Sequence, residues 1–281
     1  MDVILLQRPY HPIQNVLLVN GNPMSKDFWE QYTKHLFTKK YSVNNIIHSI
    51  SSIEREFLND LSDKRVLHPF CNFGMNTFSL EQMGADVVGL DYNPHAIDIA
   101  NRYKENIKSK SIFLCGDFFE YETDNLYDIV YASFGVLDWV EDIELFLNKI
   151  NSLLKTDGKF IMVEYHSDFF IEKLSELGTR ISDSTYEIKT GFKKVIGTSA
   201  SSLMGNGYDT KEDVIAKPQL HNTNEFLKSV QDMGFIIDKI EYFDYISWKM
   251  GNDIKIGSQK YRNKNLKEGD KMAFGIITSK K

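Results

Sequence analysis

Apolar residues recur along this chain at two spacings, and the alternation between them divides it into elements. Residues 66–91, VLHPFCNFGMNTFSLEQMGADVVGLD, read as strand, tight turn, helix and strand. Val66 and Leu67 form a short apolar run stopped by His68-Pro69, and a turn over residues 70–74 follows. Met75, Phe78, Leu80 and Met83 can line one helical face, after which the buried-type run 85–90 ends in the acid Asp91. Pro94 suits a first helical turn and predicts a helix to about residue 106. Strands are predicted over 111–115 and 127–132, a helix over 141–154, a stop turn at Lys155-Thr156-Asp157-Gly158, and a strand over 159–164. Strands alternating with helices predict an α/β architecture, a parallel sheet covered on both faces.

The flanks follow other patterns. Residues 1–60 read as an N-terminal helical cap. Ser25 would N-cap one helix carrying Phe28, Trp29, Tyr32 and Leu36 on a stripe, and a second would cover 43–61 through Ile46, Ile50, Ile53, Phe57 and Leu61. Residues 61–164 form the core unit, and 165–218 break its rhythm. That insertion reads as extended or loop structure around 186–189 and 194–197, acting as a substrate cap or a dimerisation element. Residues 219–281 would complete the core with a helix carrying Leu227, Val230 and Met233, ended by Gly234, and an antiparallel hairpin over about 235–245 and 271–278.

Composition narrows the classes. With 281 residues, 42% apolar and 26% charged, the chain has an ordinary globular balance and room for a substantial core. A net charge of −6 argues against nucleic acid as a partner. Cys71 and Cys115 are the only cysteines, without paired metal spacing, so no metal and a reduced, cytoplasmic setting are expected. No apolar run approaches the roughly 18 residues of a membrane span, and the start lacks a basic leader, so it reads as part of the folded protein.

In open parallel sheets ligands bind at the carboxyl ends of the strands. The polar features Asn72, Gly74, Asp91, Asp117, Ser133 and Glu164 all fall at that edge. An acid after the second strand suits a ribose diol, which points to an enzyme using a nucleoside cofactor. A nicotinamide dinucleotide would want G-x-G-x-x-G in the first turn, and Phe70-Cys71-Asn72-Phe73-Gly74 does not supply it.

In order and spacing, five segments make the chain resemble the class I S-adenosylmethionine-dependent methyltransferases. VLHPFCNFG stands at that family's glycine-rich first motif, VVGLDYNPHAIDIA at its acidic second, GDFFE at the adenine turn, YDIVYASFGVLDW at the fourth, and LLKTDGKFIMVEYH at the fifth strand. His68, Phe70 and Asn72 occupy the positions where the family places an acid and two glycines. The resemblance implies a Rossmann-like, seven-stranded, mostly parallel sheet with an antiparallel last strand. It also implies S-adenosyl-L-methionine as cofactor and S-adenosylhomocysteine as product. His68, Phe70, Cys71, Asn72, Gly74, Asn76 and Thr77 would then border the methionine part. Asp91 would hold the ribose, Tyr92 would lie beside it, Asp117 would accept from the adenine amino group, and Phe118 would cover the ring. Ser133 and Phe134 would lie near the sulfonium, with Trp29 and Tyr32 roofing the site.

For chemistry at the acceptor, Glu164, Tyr165 and His166 end the fifth strand, with Asp138 and Trp139 after the fourth. His166 suits a general base because an imidazole titrates near neutral pH. The expected reaction is methyl transfer to an oxygen or nitrogen of a small molecule or short peptide, by a monomer or homodimer. DNA is not expected, since no Asn-Pro-Pro-Tyr-like run follows the fourth strand. A non-catalytic S-adenosylmethionine-binding protein and an NAD-dependent oxidoreductase are the alternatives.

Overall fold

The computed structural model of the chain describes residues 49–169, 178–180, 186–189, 194–196, 221–249 and 253–280. The helix predicted from Ser25, with Trp29 and Tyr32, lies outside them. Seven strands form the main sheet: β1 Arg65–Pro69, β2 Asp86–Asp91, β3 Ile112–Cys115, β4 Tyr127–Ala132, β5 Leu154–Tyr165, β9 Ile236–Phe243 and β12 Ala273–Ser279. Their order is β3-β2-β1-β4-β5-β12-β9. The pairs from β3 through β5 are parallel, whereas β12 runs antiparallel to both β5 and β9. The predicted sheet, its antiparallel last strand and its Rossmann-like winding are thus present, with β12 inserted between its neighbours.

Both faces are covered. On one, Val66, Ile129, Tyr131, Ile161, Val163 and Tyr165 pack with Ile53, Phe57 and Leu80. On the other, Leu67, Val130, Ala132, Phe160 and Met162 meet Phe146 and Ile150 of α4 (Ile143–Leu153) and Phe226 and Val230 of α5 (Thr223–Asp232). The central strands are apolar at successive positions because neither face meets water. The helices start where their caps sit: Asn93 caps α3 (Pro94–Ile107), Asp142 caps α4 and Asn222 caps α5, each accepting from first-turn N–H groups.

The structure corrects the sequence reading in three places. Of the helix predicted over 43–61, residues 43–48 lie outside the described residues, 49–51 are not helical, and α1 is the single turn Ser52–Arg55. Ser51 starts this turn by a capping box, its side chain accepting from the Glu54 N–H while Glu54 accepts from the Ser51 N–H. The stop turn at 155–158 lies within β5, where Asp157 adopts φ 63° and the register on β4 slips between Tyr127 and Ile129. The connection between β9 and β12 is also more than a hairpin turn, holding β10 (Ile254–Gly257) and β11 (Lys260–Arg262) paired antiparallel. Within the 165–218 insertion, β6 (Gly178–Arg180), β7 (Tyr186–Lys189) and β8 (Lys194–Ile196) form a three-stranded antiparallel sheet. That agrees with the extended pattern read there.

Candidate active site

The turn after β1 keeps the backbone shape of a glycine-rich loop with only one of its glycines. Phe70, Asn72 and Gly74 lie at φ 55°, 50° and 76°, all in the left-handed region. A bulky residue there carries strain of about 1–2 kcal/mol. The Phe70 ring offsets it by packing 5.4 Å from Phe118 and 6.3 Å from Phe146, so the side chain anchors the turn on the core. Asn72 tolerates the conformation, its Oδ1 accepting from the Phe73 N–H at 2.9 Å. Gly74 has no substitute, since a Cβ would fall 2.4 Å from the Phe113 ring. It leads into α2 (Met75–Gln82), whose first turn no side chain caps, leaving those N–H groups for water or a ligand.

Asp91 ends β2 and ties the two turns together. Its Oδ2 accepts from the Asn72 N–H at 2.8 Å and its Oδ1 from the Asn93 N–H at 2.9 Å. Burial pushes its carboxyl up to about 6, the two N–H groups pulling the other way. Tyr92 follows it, partly exposed. Cys71 is buried beneath the turn, its N–H donating to the Leu90 carbonyl at 3.1 Å, and burial raises its thiol well above the usual range. After β3, Asp117 accepts from the Phe119 N–H at 2.9 Å. Phe118, read from sequence as an adenine cover, is only 3% exposed and packs on Phe70, Phe119 and Phe146, leaving little ring surface for a ligand.

His68 is buried where an acid was expected. Its Nδ1 lies 2.8 Å from Thr77 Oγ1 and its Nε2 3.3 Å from Ser133 Oγ, linking the ends of β1 and β4 to α2. Burial lowers its pKa to about 3, so the ring is neutral at every physiological pH. Beside it Tyr131 donates to Glu54 Oε1, which also accepts from Asn76 Nδ2 at 3.0 Å. Asn76 Oδ1 in turn accepts from Ser49 Oγ at 2.7 Å. Asn76 and Thr77 therefore pin the first turn of α2 to the sheet rather than standing free.

Toward β5, Glu164 is fully engaged. Its Oε1 accepts from the Gly135 and Tyr165 N–H groups at 2.8 Å each, and its Oε2 from the Leu137 N–H at 3.0 Å. Burial raises its carboxyl to about 7, against the pull of those N–H groups. It thereby fixes the loop that follows Ser133. Phe134 of that loop stacks in an aromatic group with Tyr165 at 5.1 Å and Trp248 at 4.9 Å. His166, buried on the opposite side of the strand, faces Tyr242 and Phe274. Its Nδ1 accepts from the Asp168 N–H at 3.3 Å and lies 3.2 Å from Asp168 Oδ2, while burial holds its pKa below the ordinary value.

The segments that build this edge, its left-handed turn, strand-end acid and anchored fourth loop, all fall within the span matched by a known family. The sequence model of that family, described as a methyltransferase domain, matches residues 60–212. The chain belongs to the methyltransferase-domain family. The match bears out the resemblance to class I S-adenosylmethionine-dependent methyltransferases read from the motifs. Among curated proteins, this methyltransferase-domain chain is 27% identical over 148 residues to the ubiquinone biosynthesis O-methyltransferase of Rickettsia bellii, covering 50% of this chain and 60% of that one. It thus spans less than two thirds of the length of that relative. Among solved structures, a methyltransferase of Methanosarcina mazei superposes with TM-score 0.56 at 17% identity, over 82% of this chain and 97% of the other. The magnesium protoporphyrin IX methyltransferase of Synechocystis, solved with bound S-adenosylhomocysteine, gives 0.54 at 13%, over 92% and 96%. These likenesses show the fold.

Two residues of this methyltransferase-domain site escaped the sequence reading. Glu54 was hidden inside a predicted helix, although Ser51-Ser52-Ile53-Glu54 carries the Ser-x-x-Glu capping signal that would have marked it. Trp248 joins Phe134 and Tyr165 from 83 residues beyond the strand end, and no local pattern announces such a contact. The Asp138 side chain lies outside the described residues.

Proposed function

We propose that the protein transfers a methyl group from S-adenosyl-L-methionine to an oxygen or nitrogen of a small molecule or short peptide, releasing S-adenosylhomocysteine. The observation that carries this reading is the retained left-handed turn, Phe70-x-Asn72-x-Gly74, tied by its own backbone to Asp91. The Phe70 ring and the Asn72 side chain sustain that conformation, and the geometry suits a nucleoside ligand laid against β1 and β2.

The residues fit the cofactor group by group. Asp91 keeps lone pairs beyond its two N–H contacts for the ribose hydroxyls. The uncapped first turn of α2 suits a carboxylate. Asp117 stands at the β3 exit for the adenine amino group, and Ser133 and Phe134 stand beside the reacting methyl. The bound cofactor supplies an electrophilic methyl on a sulfonium. The chain then contributes position, since an in-line nucleophile held about 3 Å away gains most of its acceleration from orientation. Where the acceptor carries a proton, His166 is the proposed base: burial leaves its ring neutral at neutral pH, and because the ring faces Tyr242 and Phe274 the acceptor would meet it only past the end of β5. Glu164, with both oxygens held by backbone N–H groups, serves instead to hold the Ser133 loop. Tyr165 and Phe134 form an apolar wall on the acceptor side.

The O-methyltransferase name of the Rickettsia relative supports an oxygen acceptor. The test is ligand-dependent melting. At a hundredfold excess over its Kd, S-adenosylhomocysteine should add about 2.7 kcal/mol of stability, and NAD should add nothing. Stabilisation by NAD alone would overturn the reading.

A further inference from the structure

The cofactor proposed above carries a sulfonium and an ammonium against one carboxylate, so a site that holds it must offer negative charge. At the position where an acid was expected stands His68, buried and engaged on both ring nitrogens, by Thr77 and by Ser133. It supplies no anion. Asp91 lies at the end of β2 and belongs to the ribose side, while Glu164 points to the opposite face and is closed by three backbone N–H groups.

One further carboxylate is buried at this place. Glu54 is 2% exposed, and it reaches from α1 across to the first turn of α2. Its contacts are hydrogen-bond donors without full charge: the Ser51 N–H at 2.8 Å, Asn76 Nδ2 at 3.0 Å and the Tyr131 hydroxyl. None of the ion pairs among the described residues includes it. A carboxylate taken out of water is ordinarily paired with a cation or hydrogen-bonded at every lone pair. All three donors are neutral, so the charge of this buried group meets no cation among the described residues. Its neighbours place it at the cofactor edge, because Tyr131 lies two residues before Ser133 on β4, with its ring 5.4 Å from His68. Asn76 and Thr77, contacted by Glu54 and His68, are successive residues of the α2 first turn.

We propose that Glu54 is the anionic ligand of the cofactor's ammonium group, delivered from the segment before β1 in place of an acid at residue 68. The substitution His68 and the buried Glu54 are then two halves of one rearrangement. The neutral histidine preserves the bridge between β1, α2 and β4, and the charge moves to the other side of Tyr131. The α2 first turn would take the carboxylate of the same amino-acid moiety, so both ends of that moiety are met within one helical turn. This inference rests on the S-adenosylmethionine reading and adds to it a residue from outside its usual motifs.

The test is a thermodynamic cycle on the full chain, with wild type and E54Q each titrated calorimetrically against S-adenosylhomocysteine and its desamino analogue, which lacks only the ammonium. Wild type should bind the desamino analogue at least ~10-fold more weakly, the scale of a hydrogen bond between charged groups. E54Q should lose affinity for S-adenosylhomocysteine by a similar factor and bind the two ligands alike. A merely structural role would weaken both ligands equally in E54Q and keep the wild-type preference, and that outcome overturns the proposal. So does a wild type that binds the two ligands with equal affinity. If E54Q gives no cooperative melt, E54D retains the charge on a shorter arm and should narrow the preference; an unchanged preference again refutes it. Failure of wild type to bind S-adenosylhomocysteine at all would instead remove the cofactor reading itself.

Discussion

Replacing Asp91 by alanine perturbs the candidate site at the point where its two turns meet. The carboxylate is held between the Asn72 and Asn93 N–H groups, and burial raises it from 3.8 to about 6. That rise corresponds to roughly 3 kcal/mol that the folded apo-protein gives up to keep the group ionised at neutral pH. The sign follows from proton counting. Between pH 3.8 and about 6 the native state holds a proton that the unfolded chain has lost, so stability falls as pH rises through that window and levels off above it. Asp91→Ala should erase this component. At neutral pH, loss of the half-buried charge offsets the two orphaned N–H groups, each worth about 1–3 kcal/mol. Stability there should therefore change little. Cofactor affinity should not be spared, since losing a charged acceptor for the ribose hydroxyls removes about 1.5–3 kcal/mol, or roughly 10- to 150-fold in Kd. Wild-type binding of S-adenosylhomocysteine should also strengthen as pH rises through 6, where the carboxylate ionises. Calorimetric titration at pH 5 and 7.5, with urea unfolding across the same range, reads both effects. Wild-type affinity in the variant, or a stability difference that does not vary between pH 4 and 6, would refute the reasoning.

Gly74→Ala combines φ 76° with a Cβ 2.4 Å from Phe113. It should destabilise by about 2–4 kcal/mol, measured as a lower urea midpoint. Gly275→Ala would drive a methyl 2.3 Å from the Phe57 ring. The loss should be partly restored in the double variant with Phe57→Leu, and no restoration would mean the two sites are not in contact as described. Glu164→Gln should remove a second decline of stability with pH, the one between 4.5 and about 7, because that group too is protonated first in the folded state. His166→Gln should lower turnover while leaving the Kd for S-adenosylhomocysteine unchanged; wild-type turnover would return His166 to a packing role beside Tyr242 and Phe274.

Periodicity located the strands of the sheet because their positions are buried on both faces, and a run such as Tyr127–Ala132 has few other readings. Strand order and the place of the antiparallel strand are long-range facts, and they came through the likeness of five motifs rather than through any one segment. What local pattern misjudged has local causes. Isoleucine spacing over 43–61 suggested one helix, but Ser51 and Glu54 form a capping box that marks a helix start at Ser52. The first turn looked depleted at Phe70 and Asn72, yet its backbone is intact because the Phe70 ring is held by Phe118 and Phe146. Asp91 was legible as a strand-end acid. Glu164 was legible in position but not in its use, since two of its three backbone N–H partners lie 27 and 29 residues earlier. Glu54 and Trp248 reach the site from outside the motif span; the Ser51–Glu54 capping spacing marks the first, and no local pattern marks the second.

Transfer of the methyl group itself is the decisive measurement. The full chain is incubated with methyl-labelled S-adenosylmethionine and a protein-free small-molecule extract, and the products are separated by chromatography. A labelled small molecule should form, with S-adenosylhomocysteine in equal amount, at a rate that falls in Asp91→Ala. S-adenosylhomocysteine binding without any labelled product, from small-molecule and peptide fractions alike, would contradict the proposed methyl transfer and leave a protein that binds the cofactor without turning it over.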